Sequence, residues 1–182
     1  GNIVRKIADA AEIDEEDNVI EIGPGVGTLT EELALRAKKV VAIEIDEKLR
    51  ELHKETLALE NVKVIYGDFL DIDLKVLTEK EFGDESFKVV ANLPYYVTTP
   101  IIEKLVLSNT NLISITVMVQ KEVAKRLSAG PGGKDYGSLS VFINYYTDCK
   151  YRFQVPRSVF MPKPNVDSAV LSLKMKDREE VD

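Results

Sequence analysis

Short apolar runs alternate with segments of helical spacing along the chain, and this alternation most limits the folds open to it. Five of the runs are predicted strands: Val19–Ile22, Val40–Ile45, Val62–Tyr66, Lys88–Ala91 and Ile113–Val119. Helical spacing follows four of them: Thr28–Arg36, Glu47–Leu59, Pro100–Leu107 and Lys121–Leu127. The residues before Val19 open as a polar, helix-like stretch. Strands and helices that alternate through short loops predict an α/β fold, with a doubly wound, mainly parallel sheet covered on both faces.

The last third of the chain departs from this alternation. Ser128–Gly137 holds four glycines and a proline and is a predicted loop. Leu139–Tyr146 fits a strand by its residue types and a helix by its apolar spacing. Tyr151–Val155 and Ala169–Met175 alternate as strands, and the proline-rich stretch Pro156–Pro164 separates them. Because no helix lies between these two strands, we expect an antiparallel hairpin at one edge of the sheet.

Composition excludes several kinds of site. With one histidine, His53, and one cysteine, Cys149, the chain cannot form a Cys/His zinc cage or an internal disulfide. No metal site is predicted. No apolar run reaches the roughly 20 residues of a membrane span, so no membrane contact is expected.

Charge is unevenly distributed. The net charge of −7 argues weakly against a nucleic-acid partner. Residues 1–120, however, carry 13 Lys and Arg against 23 Asp and Glu, whereas residues 121–182 carry 11 against 8. A basic segment joined to an acidic one is a pattern found in polyanion-binding proteins. On charge alone, a solvated surface is the favoured interpretation.

The carboxyl end of the first strand carries a glycine cluster in the sequence EIGPGVGTLT. Gly23, Gly25 and Gly27 allow a tight turn and a close approach to a ligand. The dinucleotide fingerprint needs its third glycine at position 28, which is Thr28, and Pro24 removes an N–H that a phosphate would use. The cluster therefore favours a nucleoside without phosphates. A plain strand–helix turn is the structural alternative.

Acidic residues mark the ends of the next two strands. Glu44 lies 21 residues after Gly23, close to the spacing of about 20 residues expected for a ribose ligand. Asp46 is an alternative acidic residue there, or an N-cap of the next helix. Asp68 is placed to accept a hydrogen bond from the exocyclic amine of an adenine ring, and a turn aspartate is about equally consistent.

The fourth strand ends in the tetrapeptide Asn92–Leu93–Pro94–Tyr95. A nucleobase amine is a poor nucleophile because its lone pair is conjugated into the ring. The Asn92 side chain and the Leu93 carbonyl, with the backbone held extended by Pro94, can accept its two hydrogens and draw it towards tetrahedral geometry. Tyr95 can stack on the base. Transfer from a sulfonium needs no titrating base, which fits the scarcity of His and Cys. A loop with a core tyrosine is the structural alternative.

Taken together, these segments resemble a known family. The segments are EIGPGVGTLT, VVAIEID, GDFL, ANLPYYVTTP, VQKEVAKRL, KDYGSLSV and FMPKPNVDSAV, and they span nearly the whole chain. They are similar to the ribosomal small-subunit RNA adenine N6-dimethyltransferases, most closely to the bacterial branch. The resemblance implies a class I methyltransferase, Rossmann-like fold and S-adenosylmethionine as cofactor. It also implies dimethylation of the N6 amines of two adjacent adenosines in small-subunit rRNA.

The resemblance also implies roles for single residues. The residues that it implies for cofactor binding are Gly23, Gly25, Gly27, Glu44, Asp68 and Asn92. Catalysis falls on Asn92, Leu93, Pro94 and Tyr95, with Phe160 as the second aromatic wall around a flipped target base. Without the family, a core phenylalanine after a proline-rich turn is the favoured interpretation of Phe160. Phosphate contacts are expected from Lys121, Lys125, Arg126, Lys134, Arg157 and Lys163.

The chain departs from the family pattern at both ends. Family members begin with a basic segment that closes over the cofactor and continue into a small helical domain, and we expect a single catalytic domain over residues 1–182 without these parts. The expected partner is small-subunit rRNA or an immature small subunit. We expect the protein to be a monomer located in the cytoplasm. Two alternatives stay open: a large-subunit rRNA methyltransferase of the erythromycin-resistance type, and an assembly or RNA-binding factor on the same fold.

Overall fold

The computed structural model describes residues 2–160 and 162–177, with Tyr95 by its backbone alone. The α-helices in these ranges are α1 (Asn2–Ala10), α2 (Thr28–Arg36), α3 (Arg50–Thr56), α4 (Leu74–Phe82), α5 (Thr98–Val106), α6 (Lys121–Ser128) and α7 (Ser138–Tyr146). The strands are β1 (Asn18–Ile22), β2 (Lys39–Glu44), β3 (Val62–Tyr66), β4 (Phe87–Asn92), β5 (Leu112–Gln120), β6 (Thr147–Val155) and β7 (Ser168–Met175). Short 3₁₀ turns span Glu47–Leu49, Phe69–Asp71, Tyr95–Val97 and Arg157–Val159.

The strands form one sheet in the order β3-β2-β1-β4-β5-β7-β6. The first five strands pair in parallel, and β7 pairs antiparallel with both β5 and β6. The order reverses direction at β1, with β2 on one side and β4 on the other. Both the predicted doubly wound sheet and the antiparallel edge hairpin are confirmed. The carboxyl ends of β1, β2, β3 and β4 therefore meet at one edge, where ligands of such sheets bind.

Hydrophobic packing covers both faces of the sheet. Alternate residues point to opposite sides, so that Ile20 and Val89 pack under α4–α7 while Val19 and Val90 pack under α1 and α2. Leu33, fully buried on α2, is typical of the helical side of this second cluster. Burial on both faces explains why the parallel strands read as unbroken apolar runs.

Four local predictions need adjustment. The ambiguous segment before β6 is the helix α7, and the predicted helix Glu47–Leu59 is a 3₁₀ turn followed by the shorter α3. Helix α4 was not predicted, although Asp73 caps it by accepting from the Val76 N–H at 3.1 Å and Leu74 and Phe82 are buried. Strand β6 begins at Thr147, four residues before the predicted start.

No helix within residues 2–160 and 162–177 has the length and apolar character that a membrane crossing requires.

Candidate functional site

The glycine loop between β1 and α2 needs its glycines for distinct reasons. Gly23, Gly25 and Gly27 have φ values of +76°, +56° and +98°, which side chains rarely tolerate. A Cβ on Gly23 would lie 3.3 Å from the Asn92 carbonyl oxygen, and one on Gly27 would lie 2.7 Å from a Leu57 methyl carbon. A Cβ on Gly25 would meet nothing within 4 Å. The loop thus packs closely against β4 and α3 at its ends and faces open space at its centre.

Glu44, the last residue of β2, is buried and holds this loop. One carboxylate oxygen accepts from the Gly25 N–H at 2.9 Å, and the other accepts from the Asp46 N–H at 3.0 Å. A carboxylate oxygen has a further lone pair, so Glu44 retains capacity for two hydroxyl donors. Asp46 instead caps the turn Glu47–Leu49 by accepting from the Lys48 N–H at 3.0 Å, which confirms the capping alternative for this residue.

Asp68, half-buried after β3, caps the turn Phe69–Asp71 by accepting from the Leu70 N–H at 3.0 Å. Its role towards an adenine amine stays a prediction. Lys104 on α5 fixes the same turn, donating to the carbonyls of Phe69 at 2.7 Å and Leu70 at 3.0 Å and to that of Ile72. Partial burial lowers the pKa of the Lys104 ammonium. The segment after β3 is therefore held from two sides, by a carboxylate and by an ammonium group.

Apolar side chains remain exposed between these polar groups. Val26 in the glycine loop is 65% exposed, Ile45 after Glu44 is 67% exposed, and Leu70 after Asp68 is 38% exposed. Each follows a strand end by a few residues. Exposed aliphatic groups beside acidic acceptors form a surface that suits a flat, partly apolar ligand with hydroxyl and amine donors.

The tetrapeptide Asn92–Tyr95 begins at the last residue of β4, at the same edge. The Asn92 side chain is exposed, whereas Leu93 is buried and its N–H donates to the Met118 carbonyl at 3.4 Å. The Pro94 carbonyl accepts from the buried Thr98 hydroxyl and from the Val97 N–H, each at 3.2 Å. These bonds fix the backbone that carries Asn92. The side chain of Tyr95 lies outside the described part of the structure.

Asn92 shares a sheet face with the buried carboxyl groups of the site. Val90 pairs with Glu21 in the ladder between β4 and β1, and Asn92 lies two residues further along β4. Glu21 pairs with Ala42, and Glu44 lies two residues further along β2. Since side chains two residues apart point to the same face, Asn92, Glu44 and Glu21 all face the α1 and α2 side.

Glu21 is a buried carboxyl that the sequence analysis did not single out. The hydroxyl of Thr30 on α2 donates to it. Burial raises the pKa of Glu21 to about 7, against a lowering by the Thr30 hydrogen bond and with a smaller raising effect from Glu44. An acidic residue in an apolar strand immediately before the glycine loop was the available signal.

Phe160 follows the turn Arg157–Val159. Its ring is half-buried and packs against the apolar cluster under α1 and α2. Because the side chain of Tyr95 is not described, the pairing of Phe160 with Tyr95 around a base stays a prediction.

The predicted basic residues differ in exposure and in their partners. Lys125 and Lys134 line a groove of about 530 Å³ together with Tyr151, which is 39% exposed. Arg126 and Lys163 are exposed and Lys121 is half-buried. Arg157 also helps to close its own loop, because its N–H donates to Asp167 at 2.7 Å and its guanidinium donates to the Asn165 carbonyl at 3.4 Å. Within the described ranges, no cluster of three His, Cys, Asp or Glu residues is placed to hold a metal ion.

The family model described as "Ribosomal RNA adenine dimethylase" matches residues 1–182. The chain belongs to this family. It is 54% identical, over 182 residues, to the protein named "Ribosomal RNA small subunit methyltransferase A" of Geobacillus thermodenitrificans. That match covers 99% of this chain and 62% of the relative, so the chain spans less than two thirds of the relative's length.

Two solved structures share the fold over nearly the whole chain. A dimethyladenosine transferase from Plasmodium falciparum has a TM-score of 0.83 and 34% identity, covering 96% of this chain and 62% of that one. The 23S rRNA methyltransferase ErmE has a TM-score of 0.83 and 30% identity, covering 96% and 68%. The predicted family and the predicted methyltransferase fold are both confirmed.

The buried Glu21 predicts a pH dependence of stability. A carboxyl group whose pKa rises from 4.5 in the unfolded chain to about 7 in the fold destabilises the fold as pH rises through that window. The loss amounts to about 3 kcal/mol, because each pKa unit corresponds to roughly 1.4 kcal/mol. Glu21→Gln should remove it, so that the variant gains stability over the parent between pH 4.5 and pH 7.5. Urea unfolding of both proteins across this range measures the difference in unfolding free energy. A difference that does not change with pH would contradict the raised pKa of Glu21.

Proposed function

We propose that this chain transfers methyl groups from S-adenosylmethionine to the N6 amines of two adjacent adenosines in small-subunit rRNA. The proposal depends on one observation: Asn92 lies beside the glycine loop that Glu44 holds, at one edge of the sheet. The chain that carries this arrangement belongs to the adenine dimethylase family. The Gly23 loop approaches the Asn92 carbonyl so closely that a Cβ there would be 3.3 Å away. A ligand on the loop is therefore adjacent to the tetrapeptide.

The residues at this edge fit the cofactor. Glu44 has lone pairs left for ribose hydroxyls, and Asp68 has lone pairs left for an adenine amine. Ile45 and Leu70 offer exposed aliphatic surface to the adenine ring, and the open space above Gly25 leaves room for the rest of the molecule. When bound, the cofactor supplies an electrophilic methyl group on a sulfonium.

The chain's own contribution to the chemistry is to hold and orient the target amine. The Asn92 side-chain oxygen and the Leu93 carbonyl accept the two amine hydrogens, which turns the nitrogen lone pair out of conjugation and towards the methyl group. Such acceptors act mainly in the transition state, where positive charge develops on the amine. The hydrogen bonds to the Pro94 carbonyl from Thr98 and Val97 keep this backbone in place.

The target adenosine has to leave its stack before its amine reaches this edge. We propose that the extruded base lies between Tyr95 and Phe160, since enzymes of this type stack a flipped base between aromatic or apolar walls. The groove lined by Lys125, Lys134 and Tyr151 then offers phosphate contacts and an exposed ring for flanking RNA. Arg126, Arg157, Lys163 and Lys121 are the further basic residues that we propose for phosphate contacts.

Small-subunit rRNA is the favoured substrate. The chain is 54% identical to a protein named as a small-subunit methyltransferase and 30% identical to ErmE, named as a 23S rRNA methyltransferase. We propose that the chain acts as a cytoplasmic monomer on immature small subunits. A binding factor without turnover is less favoured, because Asn92–Tyr95 matches the family tetrapeptide in full. Methylation of small subunits that lack this modification, assayed beside 23S rRNA, tests the choice.

Glu44→Ala should weaken the binding of S-adenosylhomocysteine, measured by calorimetry, by about tenfold or more. The ribose would lose a charged hydrogen-bond partner, which costs about 1.5–3 kcal/mol, and the Gly25 N–H would lose its acceptor. Glu60→Ala makes the same charge change on an exposed residue just before β3, at the opposite end of the strands, and should leave affinity unchanged. Equal affinity of Glu44→Ala and the parent would reject Glu44 as the ribose ligand.

Asn92→Ala should remove most methyl transfer while most cofactor affinity remains. Losing one oriented hydrogen-bond group typically lowers the rate by about 10²–10³-fold. The control is Asn111→Ala, an exposed asparagine before β5 whose amide donates to the Asp84 carbonyl at 3.0 Å, at the opposite end of the strands. Initial rates with unmethylated small subunits measure the effect, and parental rates in the Asn92 variant would overturn its assigned role.

Phe160→Ala should lower methylation by about tenfold with little change in cofactor affinity. Stacking of one base on an aromatic ring is worth about 1–3 kcal/mol. Phe153→Ala is the control, because Phe153 is also half-buried and packs against the same cluster from the edge strand β6. If both variants lose the same fraction of activity, Phe160 acts through packing and the stacking role fails.

A further inference from the structure

The single histidine of the chain is buried beside the glycine loop. His53 lies on α3 with 3% of its surface exposed. A buried imidazole needs a partner for each ring nitrogen. Nε2 lies 2.6 Å from the Gly25 carbonyl oxygen, and Nδ1 lies 2.7 Å from the Tyr66 hydroxyl. Both nitrogens of His53 are therefore satisfied, one by the loop and one by the end of β3.

The direction of these hydrogen bonds follows from the partners. A carbonyl oxygen only accepts, so Nε2 of His53 carries the hydrogen that is donated to Gly25. In the neutral ring Nδ1 then accepts from the Tyr66 hydroxyl. Burial raises the pKa of Tyr66, which keeps its hydroxyl protonated and able to donate. The hydrogen bonds thus run in one direction, from Tyr66 through His53 to Gly25.

Gly25 is held at both of its polar backbone atoms. Glu44 accepts from its N–H at 2.9 Å, and His53 donates to its carbonyl. Since a Cβ at Gly25 would meet nothing within 4 Å, side-chain packing does not fix this part of the loop. Leu57, directly after α3, packs closely against Gly27. Helix α3 and the residue that directly follows it therefore support the loop at two points, and hydrogen bonds set the position of the loop's centre.

Tyr66 connects this support to the third strand end. It is the last residue of β3 and pairs with Glu44, and the following Gly67 N–H donates to the Glu44 carbonyl at 2.8 Å. The Arg50 guanidinium lies 4.1 Å from the centre of the Tyr66 ring, and the His53 and Tyr66 rings stack with centroids 5.8 Å apart. The Tyr66 ring is thus held against α3, and its backbone leads directly into the segment that carries Asp68.

We propose that His53 is a positioning residue that ties the glycine loop to the end of β3, so that Gly25, Glu44 and Asp68 hold their relative positions before a ligand arrives. The proposal rests on the proposed function only for the identity of that ligand. A loop ordered in advance spares the ligand the entropic cost of ordering it, which raises affinity without adding a contact. Both ring nitrogens of His53 are already hydrogen-bonded within the protein, so its proposed role is to hold the loop and not to bind the ligand.

Three substitutions separate the two hydrogen bonds. His53→Leu removes both at similar volume, His53→Gln keeps a donor for the Gly25 carbonyl, and Tyr66→Phe removes only the hydroxyl. The matched control is Thr147→Val, which deletes the hydrogen bond from a buried hydroxyl to the Ile143 carbonyl at 2.9 Å. Thr147 begins β6, at the edge of the sheet opposite β3.

Two measurements on each protein test the proposal. Hydrogen exchange of the Gly25 amide, without ligand, should be about tenfold faster in His53→Leu and about threefold faster in His53→Gln and Tyr66→Phe, since opening free energies scale with the bonds lost. The affinity for S-adenosylhomocysteine should fall by similar factors. Thr147→Val should leave both quantities at parental values even where its melting temperature falls. If His53 contributed only to overall stability, Thr147→Val would change exchange and affinity in the same way as the His53 variants.

The outcomes are distinct. Parental exchange and affinity in a folded His53→Leu protein overturn the proposal. If His53→Leu does not fold, parental Gly25 exchange in both His53→Gln and Tyr66→Phe overturns it instead. A parent that binds no S-adenosylhomocysteine contradicts the proposed function, while the exchange measurement still decides the role of His53.

Discussion

The buried carboxylate of Glu44 is the contact on which the candidate site depends. It is the last residue of β2, it accepts from the N–H groups of Gly25 and Asp46, and these two bonds replace its lost hydration. An ionised carboxylate buried without such partners would be strongly destabilising. The same two bonds hold the N–H groups of Gly25 and Asp46, so one side chain connects the centre of the glycine loop to the start of the next turn.

The rest of the site is connected to this contact through neighbouring strands and through hydrogen bonds from α5. β1 and β4 are neighbours in the sheet, which places the glycine loop beside Asn92. Lys104 reaches from α5 to the turn after Asp68, and Thr98, on the same helix, holds the Pro94 carbonyl. One helix thus fixes two of the four strand ends. Rigid support of this kind keeps an open, solvent-facing edge in a defined shape.

Much of this arrangement was predictable because it depends on local pattern. Apolar runs located the strands, and the glycines, Glu44, Asp68 and Asn92 each lie at or just after a strand end, where ligand-binding residues of parallel sheets lie. Helix α4 was missed although Asp73 signals its start. The role of His53 was not predictable, because its partners Gly25 and Tyr66 come from two other segments and only tertiary packing brings them to the ring. Glu21, by contrast, was missed although an acidic residue in an apolar strand was a visible signal, and its partner Thr30 lies only nine residues further along the chain.

The position of β3 at the edge of the sheet has a thermodynamic consequence. β3 pairs only with β2 among the described strands, and most of its residues are half-buried. Edge strands with few buried contacts open more readily than central ones. Because Tyr66 and His53 link this strand to the glycine loop, opening of the edge and loosening of the loop belong to one local equilibrium. Any molecule that binds only the ordered loop must therefore also protect β3, the strand furthest from the antiparallel hairpin, against opening.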